Sequence, residues 1–423
     1  MADLYTDRIT KIIIYDESES EQGAIVIDNN SEIGIEAGTL YKKEMIVDSE
    51  LKFGAIYSTM FSVTIYNIDT DITGKRITVQ QIYNESTHNV FKGKIDSAKA
   101  DRSGVYRDVI AYDDLYELRS KNVSSFWNEF WLNRDNATIR TFRDALTDYL
   151  GITVVEKTLI NDSTLIRSNG DTYNTIPFGD VFSMICELQA TIPHINEDGE
   201  LEYITFSTTS IDVLDNYEGE NSYWEDFTTQ EITGVGVYTE SSTLTQLIGT
   251  ADNTYKISGN IFLLNMTGTE ITNCCENILD VLETIQYKPC TLKMIISDPT
   301  LKLGQKINTD YGYSYIMSIE YSGMIMIDQT IAGVASGETL SDYADSYADF
   351  MATDRKFSRI QQTIDEIVAE VTSIDVIRAN LILNSIDMKY HYFTALAPHT
   401  HNEMANYTHN ALSAFTHNTL GGE

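Results

Sequence analysis

Val90-Phe91-Lys92-Gly93-Lys94-Ile95, followed by Arg107-Asp108-Val109-Ile110-Ala111-Tyr112-Asp113-Asp114-Leu115-Tyr116-Glu117-Leu118, sets the character of the first third of this chain. Both stretches are strand-like, and the second, from Tyr106 to Asp113, closes the β-rich block. Working outward, Lys11-Ile12-Ile13-Ile14-Tyr15, Gly23-Ala24-Ile25-Val26-Ile27, Phe61-Ser62-Val63-Thr64-Ile65-Tyr66 and Arg76-Ile77-Thr78-Val79 are further runs of β-branched and aromatic residues. Asn, Asp, Gly and Ser separate them. So many short, evenly punctuated strands predict a small β-barrel over residues 1–121.

Residues 122–227 read as an α+β insert. Thr138 is placed to cap a helix with the apolar stripe Ile139, Phe142, Leu146 and Tyr149, stopped by Gly151. A second helix follows Pro177, with Val181, Ile185 and Leu188 on one face. Asn196-Glu197-Asp198-Gly199-Glu200 is a hairpin turn between Thr191-Ile192-Pro193-His194-Ile195 and Leu201-Glu202-Tyr203-Ile204-Thr205-Phe206. The acidic run from Ile211 to Phe227 reads as a long loop. Residues 228–285 form a smaller α+β unit, with a strand at Gly234–Tyr238 and a helix around Asn277–Leu282. Residues 286–335 return to β structure at Thr291–Ile296, Tyr315–Tyr321 and Met324–Ile327.

Beyond a Gly/Ser/Ala/Asp-rich hinge, residues 336–390 carry a heptad seam: Tyr343, Phe350, Phe357, Ile360, Ile364, Ile367, Val371 and Ile374. Bulky residues at both a and d favour three or four strands over two, which predicts a trimeric coiled coil with these eight residues in its interface. The seam is short, so it would cap a larger trimer, and the shift in spacing near Ile374 and Ile377 marks its end. In residues 391–423, Thr400-His401-Asn402, Thr408-His409-Asn410 and Thr416-His417-Asn418 recur every eight residues, a period that returns to one face of an extended strand. Five of the seven histidines (His391, His399, His401, His409, His417) lie in this tip. On a threefold axis His399, His401, His409 and His417 would meet their copies. A His-x-His pair from three chains supplies six imidazole nitrogens, a set suited to an octahedral iron, nickel or zinc ion. Neutral imidazoles stacked on the axis with Tyr407 and Phe415, or a surface for another tip protein, are the competing readings of the same residues.

Composition narrows the partners. With 29 basic against 63 acidic residues the formal charge is −34, which argues against stable binding to a nucleic-acid backbone or an anionic membrane. On charge alone simple solubility accounts for it, and it also suits a surface that must let DNA pass without holding it. Cys186, Cys274, Cys275 and Cys290 form no C-x-x-C pair and are expected as reduced core residues, in keeping with folding in a cytoplasm. Met1-Ala2-Asp3-Leu4-Tyr5 lacks the basic and apolar regions of a secretory signal, and no apolar run reaches membrane-spanning length. G-x-x-x-x-G-K-[ST], G-x-S-x-G and H-E-x-x-H are absent. Paired acids such as Asp113-Asp114 are expected by chance in so acidic a chain, and His88 and His194 read as surface or satisfied core residues.

The order barrel, insert, insert, barrel, stalk resembles the central hub proteins of phage tails and contractile injection machines. Val90–Ile95 with Arg107–Leu118 looks like the strand and A-x-D-x-x-Y-x-L end of that family's first barrel. The helix from Phe178 to Ala190 with its Asp198-Gly199 hairpin is a further likeness, and Pro299–Ile307 before Tyr315-Ile316-Met317-Ser318 resembles the last barrel. The resemblance covers residues 1–335. It implies a fold that is α+β and mostly β: two small β-barrel domains with α+β inserts, then the trimeric coiled coil and extended His-rich tip. It further implies a homotrimer of pseudo-sixfold symmetry that adapts a hexameric tail tube or distal tail protein to a threefold tip, spike or receptor-binding protein. The tape-measure protein and DNA would pass through it. The location implied is the tail tip or baseplate of a virion or tailocin, assembled in the bacterial host cytoplasm. Some family members continue into a peptidoglycan hydrolase, but residues 336–423 are too few for a stalk plus a catalytic domain. Such a hydrolase, or a receptor-binding tail fibre, is the alternative expectation.

Overall fold

In the computed structural model, the described residues are 9–15, 24–28, 32–47, 51–83, 86–101, 104–168, 170–213, 216–239, 241–295, 297–298, 300–323 and 328–333. The first block forms eight strands: β1 Ile9–Tyr15, β2 Ile25–Ile27, β3 Gly34–Ile35, β4 Leu40–Met45, β5 Met60–Tyr66, β6 Arg76–Tyr83, β7 Ser86–Ala100 and β8 Tyr106–Tyr112. Apart from β3, which pairs with β5, they lie side by side in the order β4-β5-β8-β7-β6-β1-β2, all antiparallel.

The strand read at Val90–Ile95 is part of β7, in which Phe91, Gly93 and Ile95 face inward and Lys92 and Lys94 outward. Phe91 stacks on Phe61 with centroids 5.3 Å apart. Gly93 of β7 leaves no room for a side chain. A Cβ there would sit 2.2 Å from the Tyr112 carbonyl oxygen and 2.7 Å from the Phe91 ring, so only glycine fits.

The largest departure from the sequence reading concerns the two barrels. Strand Ser318–Gly323 of the last β block pairs with β4, in register from Ser318↔Met45 to Gly323↔Leu40. Asp328–Gly333, Cys290–Lys293 and Tyr223–Trp224 follow it in turn, making one twelve-stranded sheet. Among the described residues no pairing joins its Tyr223–Trp224 end to β2, so neither β block is a closed barrel. The physical reason lies in β4. Left at an edge it would present a row of unpaired N–H and C=O groups, and the last block satisfies them.

Among the described residues there are six helices: α1 Leu115–Leu118 closes the first block, and α2 Ser124–Trp131, α3 Ile139–Leu150, α4 Phe178–Leu188, α5 Ile261–Leu264 and α6 Gly268–Leu282 belong to the inserts. α3 begins and ends where its caps dictate. The Thr138 hydroxyl accepts from the Thr141 N–H at 3.1 Å, and Gly151 closes the helix at φ 69°. α6 opens with a capping box between Thr267 and Glu270, so it starts well before the stretch that its apolar residues announced. α2, α3 and α5 share an aromatic core, with Phe262 5.6 Å from Trp127 and 5.2 Å from Phe142. The acidic segment expected as a loop contains Ser210–Asp212, which pairs in parallel with Lys306–Thr309, and the edge strand Tyr223–Trp224. All four cysteines are buried free thiols.

Candidate functional site

The stretches carrying the family resemblance converge on one buried, charged junction. Asp113 lies in the corner between β8 and α1, just before the N-cap residue Asp114. Its carboxylate accepts the Thr59 N–H at 2.7 Å and the Leu115 N–H at 3.1 Å, while its own N–H donates to the Thr59 carbonyl at 3.1 Å. The strand-to-helix corner is therefore fastened to the chain entering β5. The next residue, Asp114, takes both guanidinium nitrogens of Arg76, one at 3.1 Å, and Lys94 reaches Glu117 at 2.8 Å. These pairs tie the corner to β6 and β7.

The insert hairpin, strands Ile192–Ile195 and Leu201–Ile204, closes over this corner. Its turn lies on β7: the Asn89 amide donates to Asp198 at 2.6 Å, and at Gly199 (φ +82°) a Cβ would approach the Lys92 side chain to 2.8 Å. The His194 ring, 4 % exposed, projects inward. Its Nδ1 is 3.2 Å from Glu202 Oε1, and its Nε2 is 3.5 Å from the Thr59 hydroxyl and 3.8 Å from Glu44. From β4, Lys42 and Glu44 face the same space, joined at 2.8 Å, with the Lys42 ammonium 5.6 Å from the Tyr321 ring centroid on strand Ser318–Gly323. Lys302 reaches Glu197 of the hairpin turn at 3.6 Å.

The electrostatics follow from burial and sign. Burial pushes Asp113 up to about 6, against the pull of the Thr59 N–H and of His194. For His194 burial works the other way, but Glu202, Glu44 and Asp113 outweigh it and raise its affinity for the proton. Glu197 is held below its ordinary range because Lys42, Lys302 and His194 overcome its burial. The Tyr321 phenol is pushed up by burial and by Glu44, Glu197 and Asp298, and its oxygen accepts from Gln329 at 3.0 Å. A His–Glu pair next to an Asp whose carboxyl is pushed up to about 6 has the parts of an acid–base site. The cavity that reaches Asp113 measures only about 10 Å³, room for a single water at most, whereas a cleft of about 680 Å³ opens over Lys42, Glu197, Lys302 and Tyr321 at the outer side of the cluster. At the depth of Asp113 the cluster holds charge and position.

The eight expected coil residues, Tyr343, Phe350, Phe357, Ile360, Ile364, Ile367, Val371 and Ile374, and the expected metal ligands His399, His401, His409 and His417 lie outside the described residues. Among the described residues no three His, Cys, Asp or Glu side chains are arranged to hold a metal ion, and no helix is long and apolar enough to cross a membrane. His194 is a satisfied core residue, as expected, and His88 is exposed. What the sequence reading missed is the Lys42–Glu44 half of the junction.

No family model matches the chain, and no curated protein does. Among solved structures it is similar to the 43 kDa tail protein of prophage MuSo2 from Shewanella oneidensis, at 9 % identity and TM-score 0.47, over 76 % of this chain and 96 % of that one. It is similar to the tail protein from Neisseria meningitidis MC58, at 11 % identity and TM-score 0.47, over 80 % and 99 %. A third likeness is to a chain in a topological model of the P2 virion baseplate in its activated conformation, at 11 % identity and TM-score 0.24, over 78 % and 99 %. The proteins that this chain is similar to are thus phage tail and baseplate proteins. At TM-scores below 0.5 these are likenesses of arrangement and say nothing of what this chain does.

Proposed function

We propose that the chain is a structural protein of the distal end of a phage tail or tailocin, a trimeric hub in the tail tip or baseplate that joins the hexameric tube or a distal tail protein to a tip, spike or receptor-binding protein. The observation that carries this reading is the Ala111–Leu118 corner. The residues on which the hub resemblance rests are those that fasten β8, β6, β7 and the insert hairpin to one another, the role a rigid load-transmitting part needs. The heptads of residues 343–374 support three copies on independent grounds, and the formal charge of −34 supports a lumen that repels DNA and eases its passage with the tape-measure protein. In this reading the boundaries near residues 121, 228, 286 and 336 divide functional blocks, the first and last β blocks sharing one sheet. A metal, iron being one candidate, would sit on the tip axis between His399, His401, His409 and His417 of the three chains, and assembly would take place in the host cytoplasm.

The test is molar mass in solution together with metal content and antibody labelling of intact particles. A trimer, converted to monomer by Ile364→Asp with Ile367→Asp and labelled at the tail tip, is the expected result. A monomer, dimer or hexamer, or labelling along the tail shaft, overturns it. The hydrolase alternative predicts clearing in a peptidoglycan zymogram that one carboxylate or histidine substitution abolishes; the structural reading predicts no clearing.

A further inference from the structure

Three segments remote in sequence bring a lysine, a carboxylate and a carboxamide together in the protein interior. Lys52 lies in the segment between β4 and β5, Glu187 in the last turn of α4, and Asn260 at the N-cap of α5. They are 2 %, 0 % and 1 % exposed, so water is kept from all three. The first segment is pressed onto α4 at Gly54, where a Cβ would sit 2.1 Å from the Ser183 carbonyl oxygen. The Phe53 N–H donates to the Tyr255 hydroxyl at 3.0 Å, and the Asn260 amide donates to the Met184 carbonyl at 2.9 Å. These contacts fix the three backbones against one another.

One carboxylate holds both partners. The Lys52 ammonium meets Glu187 Oε1, and the Asn260 amide nitrogen donates to Glu187 Oε2 at 2.8 Å. The amine also donates to the Lys256 carbonyl at 3.2 Å and stands 5.0 Å from the Tyr255 ring centroid. The Asn260 side-chain oxygen accepts the Leu263 N–H at 3.3 Å, a donor suited to an oxygen that gains negative charge.

We propose that Lys52 and Asn260 become joined by an intramolecular isopeptide bond, which the folded chain forms by itself with Glu187 as proton carrier. The Lys52–Glu187 ion pair is the state before reaction. Glu187 takes a proton from the ammonium, and the neutral Nζ attacks Cγ of Asn260, with the Leu263 N–H facing the oxyanion. The Cγ–Nδ2 bond then breaks and the Cγ–Nζ bond remains as an amide. Glu187 passes to Nδ2 the two protons that Nζ gives up, so the nitrogen departs as ammonium. Nothing is oxidised or reduced, and no co-reactant is needed. The site supplies what such a step requires: a desolvated amine, an amide held beside it on a shared acid, and exclusion of the water that would compete. The bond would tie the chain entering β5 to the insert of residues 228–285. This inference does not depend on the tail reading.

Intact mass spectrometry of the full-length protein, fresh and after prolonged incubation, tests it. The mass is expected to settle one ammonia below that of the sequence, and trypsin should release a branched peptide joining Lys52 to Asn260. On a denaturing gel the closed ring should run ahead of Lys52→Arg, which keeps the charge and cannot form the amide. Glu187→Gln, which keeps both reacting groups, and Asn260→Ser, which keeps a cap on α5, should retain the full mass. Circular dichroism confirms that each variant is folded, and the wild-type measurement decides the matter even where a variant is not. A wild-type protein that keeps the full sequence mass overturns the proposal. So does an ammonia loss that maps to Asn169-Gly170, where a succinimide would give the same mass change, or one that persists in Glu187→Gln.

Discussion

Replacing Asp113 by Asn tests the electrostatics of the junction directly. The carboxyl is completely buried and its pKa is pushed up to about 6 from an ordinary 3.8. In the unfolded chain it ionises near 4, in the folded chain near 6, so between those values the folded state binds more protons. Stability contributed by this group is then fully present below about 4 and is lost as pH rises through about 6. Two pH units at about 1.4 kcal/mol each make the loss about 3 kcal/mol. Asn resembles the neutral acid in shape and cannot ionise. Its amide faces one of the two N–H donors, which adds a pH-independent cost of about 1–3 kcal/mol. The variant should therefore be the weaker protein near pH 4, and its deficit should shrink by about 3 kcal/mol, or reverse, by pH 7. Urea transition midpoints of both proteins at half-unit steps of pH, followed by far-UV circular dichroism, measure this. The background repulsion of so acidic a chain changes equally in both and cancels. Midpoint curves that run parallel across the range would refute the reasoning.

The remaining predictions concern packing and caps. Gly93→Ala should cost about 3 kcal/mol or more, because the new methyl meets a backbone carbonyl that cannot yield. Gly219→Ala, with open space around it, should stay within about 0.5 kcal/mol, and thermal melts of the pair decide the point. Lys52 and Glu187 form a fully buried ion pair, with Asn260 donating to Glu187 at 2.8 Å. Lys52→Met alone strands the carboxylate and should cost about 3–5 kcal/mol, most of it recovered in the double variant with Glu187→Gln; a cycle showing simple additivity would count against the pairing. Glu270 is held at about 2 chiefly by Arg167, which it meets at 2.6 and 2.9 Å, with the Thr267 N–H assisting. Its stabilisation is complete above its ordinary 4.5 and is lost as pH falls towards 2. Glu270→Ala should cost about 1 kcal/mol at neutral pH and nothing below pH 2, read by urea midpoints.

The legible parts of the fold are those whose determinants are local. α3 could be read to the residue because Thr138 and Gly151 carry both caps, and the insert hairpin because Asn196–Glu200 carries its own turn. α2 has no such mark: Val123 stands at its N-cap with no side-chain bond, and its run of aromatic residues carries no cap signal. β4 was illegible for a deeper reason. Its buried face is Leu40, Lys42 and Glu44, so the alternation that normally reveals a strand is carried by an ion pair in place of a second and third apolar residue. Because β4 was not seen, neither was the joint between the two β blocks, whose partners are remote in sequence. The candidate site divided in the same way. Asp113 belonged to the motif that carried the resemblance but read as one of a chance pair of acids, His194 was expected as a surface or satisfied core residue, and the half of the junction on β4 was hidden along with its strand.

The pairing of β4 with Ser318–Gly323 also governs how the protein is made. When residues 40–45 leave the ribosome, the strand that will lie beside them has not been synthesised. At about 5–20 residues per second the nascent chain carries this open edge for on the order of tens of seconds. During that wait the charged side chains of Lys42 and Glu44 stand on the strand that other nascent chains could join, and they discourage such joining until the proper neighbour arrives. The ion pair that obscures the strand to a reader of the sequence thus guards it during translation.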